Sequence, residues 1–212
     1  MTPAKEPVIT AGIDVGGPRK GFHAVALKAG YFLAQTHTTD ESELACWLIN
    51  HKARHIGVDS PCAWRPTDQP RLAESELARS GIPCFFTPRR SEAVNHPTGY
   101  YNWMIQGEKL YLKLTKTHSL YSGTTDCISD STCFETYPFA IASRFAGCKL
   151  LARNKMADRS AILQQYHINL PSFQEIDFID AALCALMALH FSKMQFKAFG
   201  DPAAGFIIVP VG

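Results

Sequence analysis

A mixed α/β sheet with helices packed against it is the fold class this sequence predicts, and three observations predict it. Three apolar runs follow one another within the first forty residues, separated only by short turn signals. A fourth apolar run is reached through a helical segment, which sets its strand parallel to one it joins. A segment near the C-terminus is apolar nearly all round, as a helix buried against a sheet must be.

Taken in order, residues 8–15 are apolar and β-branched and end at Gly16-Gly17-Pro18. Residues 22–27 follow, then Ala29-Gly30 as a second turn, then residues 31–36. Connections this short give an antiparallel meander of three strands. Asp40-Glu41-Ser42-Glu43 opens a helix whose apolar positions are Leu44, Trp47 and Leu48. Residues 55–59 form a strand stopped by Ser60-Pro61. A polar helix over 69–80 is closed by Gly81, and 84–87 read as a short strand or extended stretch. The pattern predicts a long helix over 100–121, with Gly107 as its weak point. Cys133-Phe134-Glu135-Thr136 is a further strand, stopped by Pro138. Short helices are expected over 139–145 and 159–166. Ser172 and Glu175 have the spacing of a capping box ahead of the buried helix over 176–194, and 205–210 form a last strand. The order is βββαβ followed by an αβα tail.

Composition bounds what this fold can serve. The length of 212 residues fits one domain, or two small ones, and no linker or repeat divides the chain. Hydrophobic residues at 46% and charged residues at 19% exclude disorder as the main state. A net charge of +2 means that any affinity for nucleic acid comes from local clustering of cations. Seven cysteines without a Cys-x-x-Cys pair argue against a disulfide framework and a structural zinc site. The first seven residues lack an apolar signal core, and the longest apolar stretch, 181–191, is interrupted by His190 and too short for a bilayer. A soluble, cytoplasmic protein with no membrane partner is expected.

Three acids occupy the same kind of position. Asp14, Asp59 and Glu135 each end a predicted strand. In an α/β sheet, ligands sit at the carboxyl ends of parallel strands, so neighbouring strands would bring the three acids to one rim. Asp180 lies inside the apolar helix, with Asp177 on the same face at i, i+3 spacing. Clustered carboxylates repel until a proton or a cation joins them. Mg²⁺ or Mn²⁺ suits an all-oxygen set, and two such ions about 4 Å apart activate water against a phosphodiester. The ordinary alternative is that Asp14 and Asp59 are turn residues bonding their own backbone, and that Asp177 is a helix cap. Against that alternative, an unpartnered Asp180 in an apolar helix is costly.

Basic side chains form two groups. Arg89 and Arg90 precede Lys109, Lys113 and Lys116, which share one helix face, with Tyr100, Tyr101, Trp103 and Tyr111 among them. Lys149, Arg153, Lys155 and Arg159 lie between Glu135 and Asp180. Cations hold phosphates and rings stack bases, which makes Arg89, Arg90, Lys109, Lys113, Lys149 and Lys155 candidates for contact with DNA or RNA. A solvated helix face and a polar loop explain the same residues. Gly16-Gly17 suits either a phosphate cradle or a simple hairpin.

Ala11-Gly12-Ile13-Asp14-Val15-Gly16-Gly17, Ile56-Gly57-Val58-Asp59-Ser60-Pro61, Phe134-Glu135-Thr136-Tyr137-Pro138 and Asp177-Phe178-Ile179-Asp180-Ala181-Ala182 resemble, in this order, the successive motifs of the domain-of-unknown-function 429 family. Arg71-Leu72-Ala73-Glu74, Phe86-Thr87-Pro88 and the closing Gly205-Phe206-Ile207-Ile208-Val209-Pro210 are similar to its pattern as well. The resemblance implies a ribonuclease H-like mixed sheet, three antiparallel strands and then parallel ones, in one domain over 1–212 with a helical insertion near 89–130. It implies nuclease activity on DNA or RNA, with Asp14, Asp59, Glu135 and Asp180 as catalytic ligands of Mg²⁺ or Mn²⁺. Two other readings share this core: a phosphotransferase of the actin and sugar-kinase superfamily, and a non-catalytic nucleic-acid-binding or regulatory protein. Such kinases use two copies of the core, and this chain has length for one.

Overall fold

The computed structural model describes residues 6–124, 131–150, 152–171 and 175–211. Cys127 and the expected capping residue Ser172 lie outside the described residues. Strands β1 (Ile9–Val15), β2 (Phe22–Lys28) and β3 (Tyr31–Thr38) form the meander, and helix α1 (Glu41–Asn50) leads to β4 (His55–Asp59). Asp40 caps α1, its carboxylate accepting from the Ser42 and Glu43 N–H groups. The second half holds α2 (Leu72–Arg79), α3 (Arg90–Val94), α4 (Asn102–Leu114), β5 (Ser119–Leu120), β6 (Thr132–Thr136), α5 (Pro138–Phe145), α6 (Lys155–Gln165), α7 (Ile176–Ser192), β7 (Phe196–Asp201) and β8 (Gly205–Pro210).

One mixed sheet runs in the order β3-β2-β1-β4-β6-β8-β7, with β5 paired to β6. β1 lies antiparallel to β2 and parallel to β4, and β4, β6 and β8 continue parallel. Three antiparallel strands followed by parallel ones, flanked by helices, is the ribonuclease H-like arrangement expected. No helix among the described residues is long and apolar enough to cross a membrane.

Helix α7 covers one face, packing Ile179, Leu183 and Met187 into a cluster with Val25, Leu27 and Phe134. On the other face, Leu44 and Leu48 of α1 and Leu110 and Leu114 of α4 meet Ile13, Ile56 and Val58. Two glycines set how close α7 comes. A Cβ on Gly12 would stand 2.1 Å from the Ala181 carbonyl oxygen, and one on Gly57 2.7 Å from that of Cys184. The Thr10 hydroxyl donates to the Ala185 carbonyl at 3.1 Å. This contact lays the N-terminal turns of α7 at the carboxyl end of β1.

Several elements differ from expectation. Helix α2 starts at Leu72 because Arg71 is extended (φ −57°, ψ 145°), its side chain drawn into the interior. Residues 84–87 form no strand. The helix expected to reach 121 ends at Leu114, so that β5 can pair with β6. Helix α6 begins earlier, at Lys155. Edge strand β7, to which the sequence assigned no element, pairs antiparallel with β8. Helix α7 begins at Ile176 with Glu175 as its N-cap, which puts Asp177 in the first turn and Asp180 in the second.

Candidate metal centre at the carboxyl rim of the sheet

Asp14 and Asp59 are direct partners across the parallel β1–β4 ladder. Side chains alternate along a strand, so Asp14 shares a face with Gly12, and Asp59 with Gly57. Both glycines abut α7. The two carboxylates therefore face the start of α7, where Asp177 and Asp180 project. Asp14 also pairs with His23 across the antiparallel β1–β2 ladder. Asp14, His23 and Asp177 bring ligand atoms within 4.8 Å of one another, close enough to share one cation.

Two basic side chains stand among the acids. The Lys20 ammonium donates to Asp177 at 2.7 Å and lies 3.9 Å from Asp14. Arg159 of α6 is paired with Asp180, both buried. Gly16 lets Lys20 reach inward, since a Cβ there would stand 2.7 Å from the lysine side chain. The Gly16 N–H is bonded to the Gly21 carbonyl at 2.8 Å, which closes the turn on itself.

Charge remains in excess. Burial, and then the Asp180 charge, raise Asp14 to about 7 against the pull of Lys20. Burial, Asp14 and Asp180 push Asp59 well above the carboxylate range. Burial raises Asp180 too, opposed by Arg159 and Lys155. Burial lowers His23, partly offset by Asp177. For Lys20, burial works downward, but the hydrogen bond to Asp177 and the charge of Asp14 outweigh it, so its pKa rises. The Asp14 Oδ2 is buried without a hydrogen-bond partner. Four carboxylates facing two organic cations, with one buried oxygen lacking a hydrogen bond, form a donor set that fits a hard divalent ion.

Glu135 is placed differently. Its ladder partner on β4 is Val58, not Asp59, which turns it to the opposite face of the sheet. There both its oxygens accept from Arg71 Nη2 at 2.8 Å, and Oε2 also accepts from the Cys62 N–H at 2.9 Å. Arg71, almost fully buried, further donates to the Ala63 carbonyl and pairs with Glu74 at 3.2 Å. Glu135 and Asp59 border one cavity of about 70 Å³, yet the oxygens of Glu135 are engaged by Arg71 and Cys62.

The basic candidates are dispersed. Arg89 pairs with Asp68 and Arg90 with Glu108. Lys109 is exposed on α4, while Lys113 sits near Asp40 and helps lower its pKa. Lys149 borders a separate cavity of about 330 Å³ with Ser80, Ser143 and Arg144. Of the six, Lys155 acts on the carboxylates, lowering Asp180. Tyr111 is buried, its hydroxyl donating to the Ser60 carbonyl, whereas Tyr100 is exposed.

Lys20 and His23 were not legible as site residues, because neither belongs to a motif. Asp177 carried a signal, its i, i+3 spacing from Asp180.

The model of the family described as "Protein of unknown function (DUF429)" matches residues 12–204, and the chain belongs to that family. Among solved structures it is similar to the Thermus thermophilus RuvC structure, with 13% identity and a TM-score of 0.46, over 88% of this chain and 97% of that one. A search of curated proteins finds no match.

Proposed function

We propose that this protein is a divalent-metal-dependent phosphodiester hydrolase acting on DNA or RNA, with Asp14, Asp59, Asp177 and Asp180 holding Mg²⁺ or Mn²⁺. The observation that carries this reading is the direct pairing of Asp14 with Asp59 beneath the first turns of α7, which gathers four acids on one face. In this reading Glu135 anchors Arg71 and is a structural residue. The chain acts as one domain, with residues 89–130 inserted between β4 and β6.

When bound, such ions supply an activated water and stabilise the leaving oxygen of the phosphodiester. Asp14 and Asp59, fixed by adjacent strands, set the geometry of the centre. Arg159 holds Asp180 in place through its ion pair. Lys20, half-exposed and paired with Asp177, would be available to a substrate phosphate if a cation were to neutralise Asp177 in its place. Lys155, exposed at the start of α6, receives the backbone alongside. The closed Gly16–Gly21 turn argues against a phosphate cradle of the kind a phosphotransferase needs.

The test incubates the protein with labelled single- and double-stranded DNA and RNA in Mg²⁺ or Mn²⁺. Cleavage is expected, and Asp14→Asn and Asp59→Asn should abolish it while remaining folded. Intact substrate in every condition with the unmodified protein would overturn the proposal.

A further inference from the structure

His23 has no role in a site made of carboxylates alone, yet the fold places it there. It is the ladder partner of Asp14 on β2, so the two side chains stand side by side on one face. The residue is 8% exposed, and its Nδ1 is buried without a hydrogen-bond partner. The neighbouring Asp14 Oδ2 is likewise buried without a hydrogen-bond partner, with the Lys20 ammonium 3.9 Å away. A ring nitrogen of His23 and carboxylate oxygens of Asp14 and Asp177 lie within 4.8 Å of one another.

The ring is also held. It stacks on His37 with centroids 4.4 Å apart, and Phe178 of α7 packs edge-on against it at 4.9 Å. His37 is itself tied to the Lys20 carbonyl at 2.7 Å. A buried imidazole nitrogen with no partner is costly, and an apolar side chain would fill the position without that cost. The arrangement is explained if the nitrogen has a partner when the site is loaded.

We infer that His23 supplies a nitrogen ligand to the centre formed by Asp14 and Asp177, which selects Mn²⁺ or another imidazole-binding transition ion over Mg²⁺. The chemistry follows from ligand type. Mg²⁺ demands oxygen donors in near-ideal octahedra, whereas imidazole suits later first-row ions. Neutral imidazole is the form that coordinates. Lys20 holds the place of the cation meanwhile, its side chain half in solvent and able to swing away. The inference rests on the metal site proposed above but not on its hydrolytic activity.

The experiment loads the whole protein with Mn²⁺ and records electron spin-echo modulation, with titration calorimetry of Mn²⁺ and Mg²⁺ alongside. Wild type is expected to show ¹⁴N modulation and to bind Mn²⁺ about tenfold or more tightly than Mg²⁺. In His23→Asn the modulation should vanish and Mn²⁺ affinity fall about tenfold, with Mg²⁺ affinity nearly unchanged. Bound Mn²⁺ without ¹⁴N modulation in wild type overturns the inference, with no need for a variant that folds. Modulation that survives in His23→Asn overturns it equally. Nitrogen-ligated Mn²⁺ in a protein that cleaves nothing would sink the hydrolase and leave this inference standing. If no divalent ion binds, both fall.

Discussion

Replacing Asp14 by Asn should stabilise the metal-free protein, and more at pH 8 than at pH 5. Asp14 ionises at about 7 in the folded protein against an ordinary 3.8. The folded state therefore holds a proton that the unfolded chain releases near pH 4. Stability falls as pH rises from about 4 through about 7, and the deficit is complete above that. A rise of about three pH units corresponds to about 4 kcal/mol at most. Asp59 and Asp180 share the repulsion, so about 3 kcal/mol is a fair expectation for Asp14→Asn at pH 8. For a chain of this length that is about 6–12 °C in Tm. At pH 5 the folded carboxyl is protonated but the unfolded one is already ionised, so roughly two-fifths of the deficit is present and the substitution should raise Tm by about that fraction of its effect at pH 8. A divalent ion at about 100 times its Kd should then stabilise wild type by about 2.7 kcal/mol and Asp14→Asn far less. Thermal melts of both proteins at pH 5 and pH 8, with and without Mn²⁺, read all four values. Equal changes in Tm at the two pH values would refute the electrostatic argument. An equal response of the two proteins to the ion would refute Asp14 as a ligand.

Three further substitutions separate structural roles from ligand roles. Glu135→Gln should cost about 3 kcal/mol in chemical denaturation by stripping a charge from buried Arg71, while Mn²⁺ raises its Tm as in wild type; loss of the Mn²⁺ response would return Glu135 to the metal site. Gly12→Ala should destabilise by about 3 kcal/mol or more, because the new methyl would overlap the α7 backbone; a wild-type denaturation midpoint would show that α7 does not ride on β1. Lys20→Met should tighten Mn²⁺ binding about fivefold in calorimetry, the equivalent of about 1 kcal/mol for a half-exposed ion pair. Unchanged or weaker binding would mean that Lys20 does not compete with the metal.

The sequence by itself determined the frame of the site. Short turns after Val15 and Lys28 compelled the meander, and the helix at Glu41–Asn50 compelled a β4 parallel to β1; the pairing of those two strands in register then made Asp14 and Asp59 neighbours. Tertiary structure decided the rest. Glu135 looked equivalent to the two aspartates because each ends a strand, but which face a side chain takes depends on register, and register belongs to the pairing of two strands. One residue of offset, Val58 opposite Glu135, sent it across the sheet to Arg71. Arg89 and Arg90 read as free cations in one dimension and are spent on Asp68 and Glu108, 21 and 18 residues away. Strand β7 escaped notice because an edge strand buries little of itself and leaves a weak pattern. His23, Asp14 and Asp177 come from two strands and a helix more than 150 residues apart, and they meet only because Gly12 and Gly57 let α7 settle onto the sheet. Close approach of backbones is a property of both surfaces at once, and no local segment of the chain encodes it.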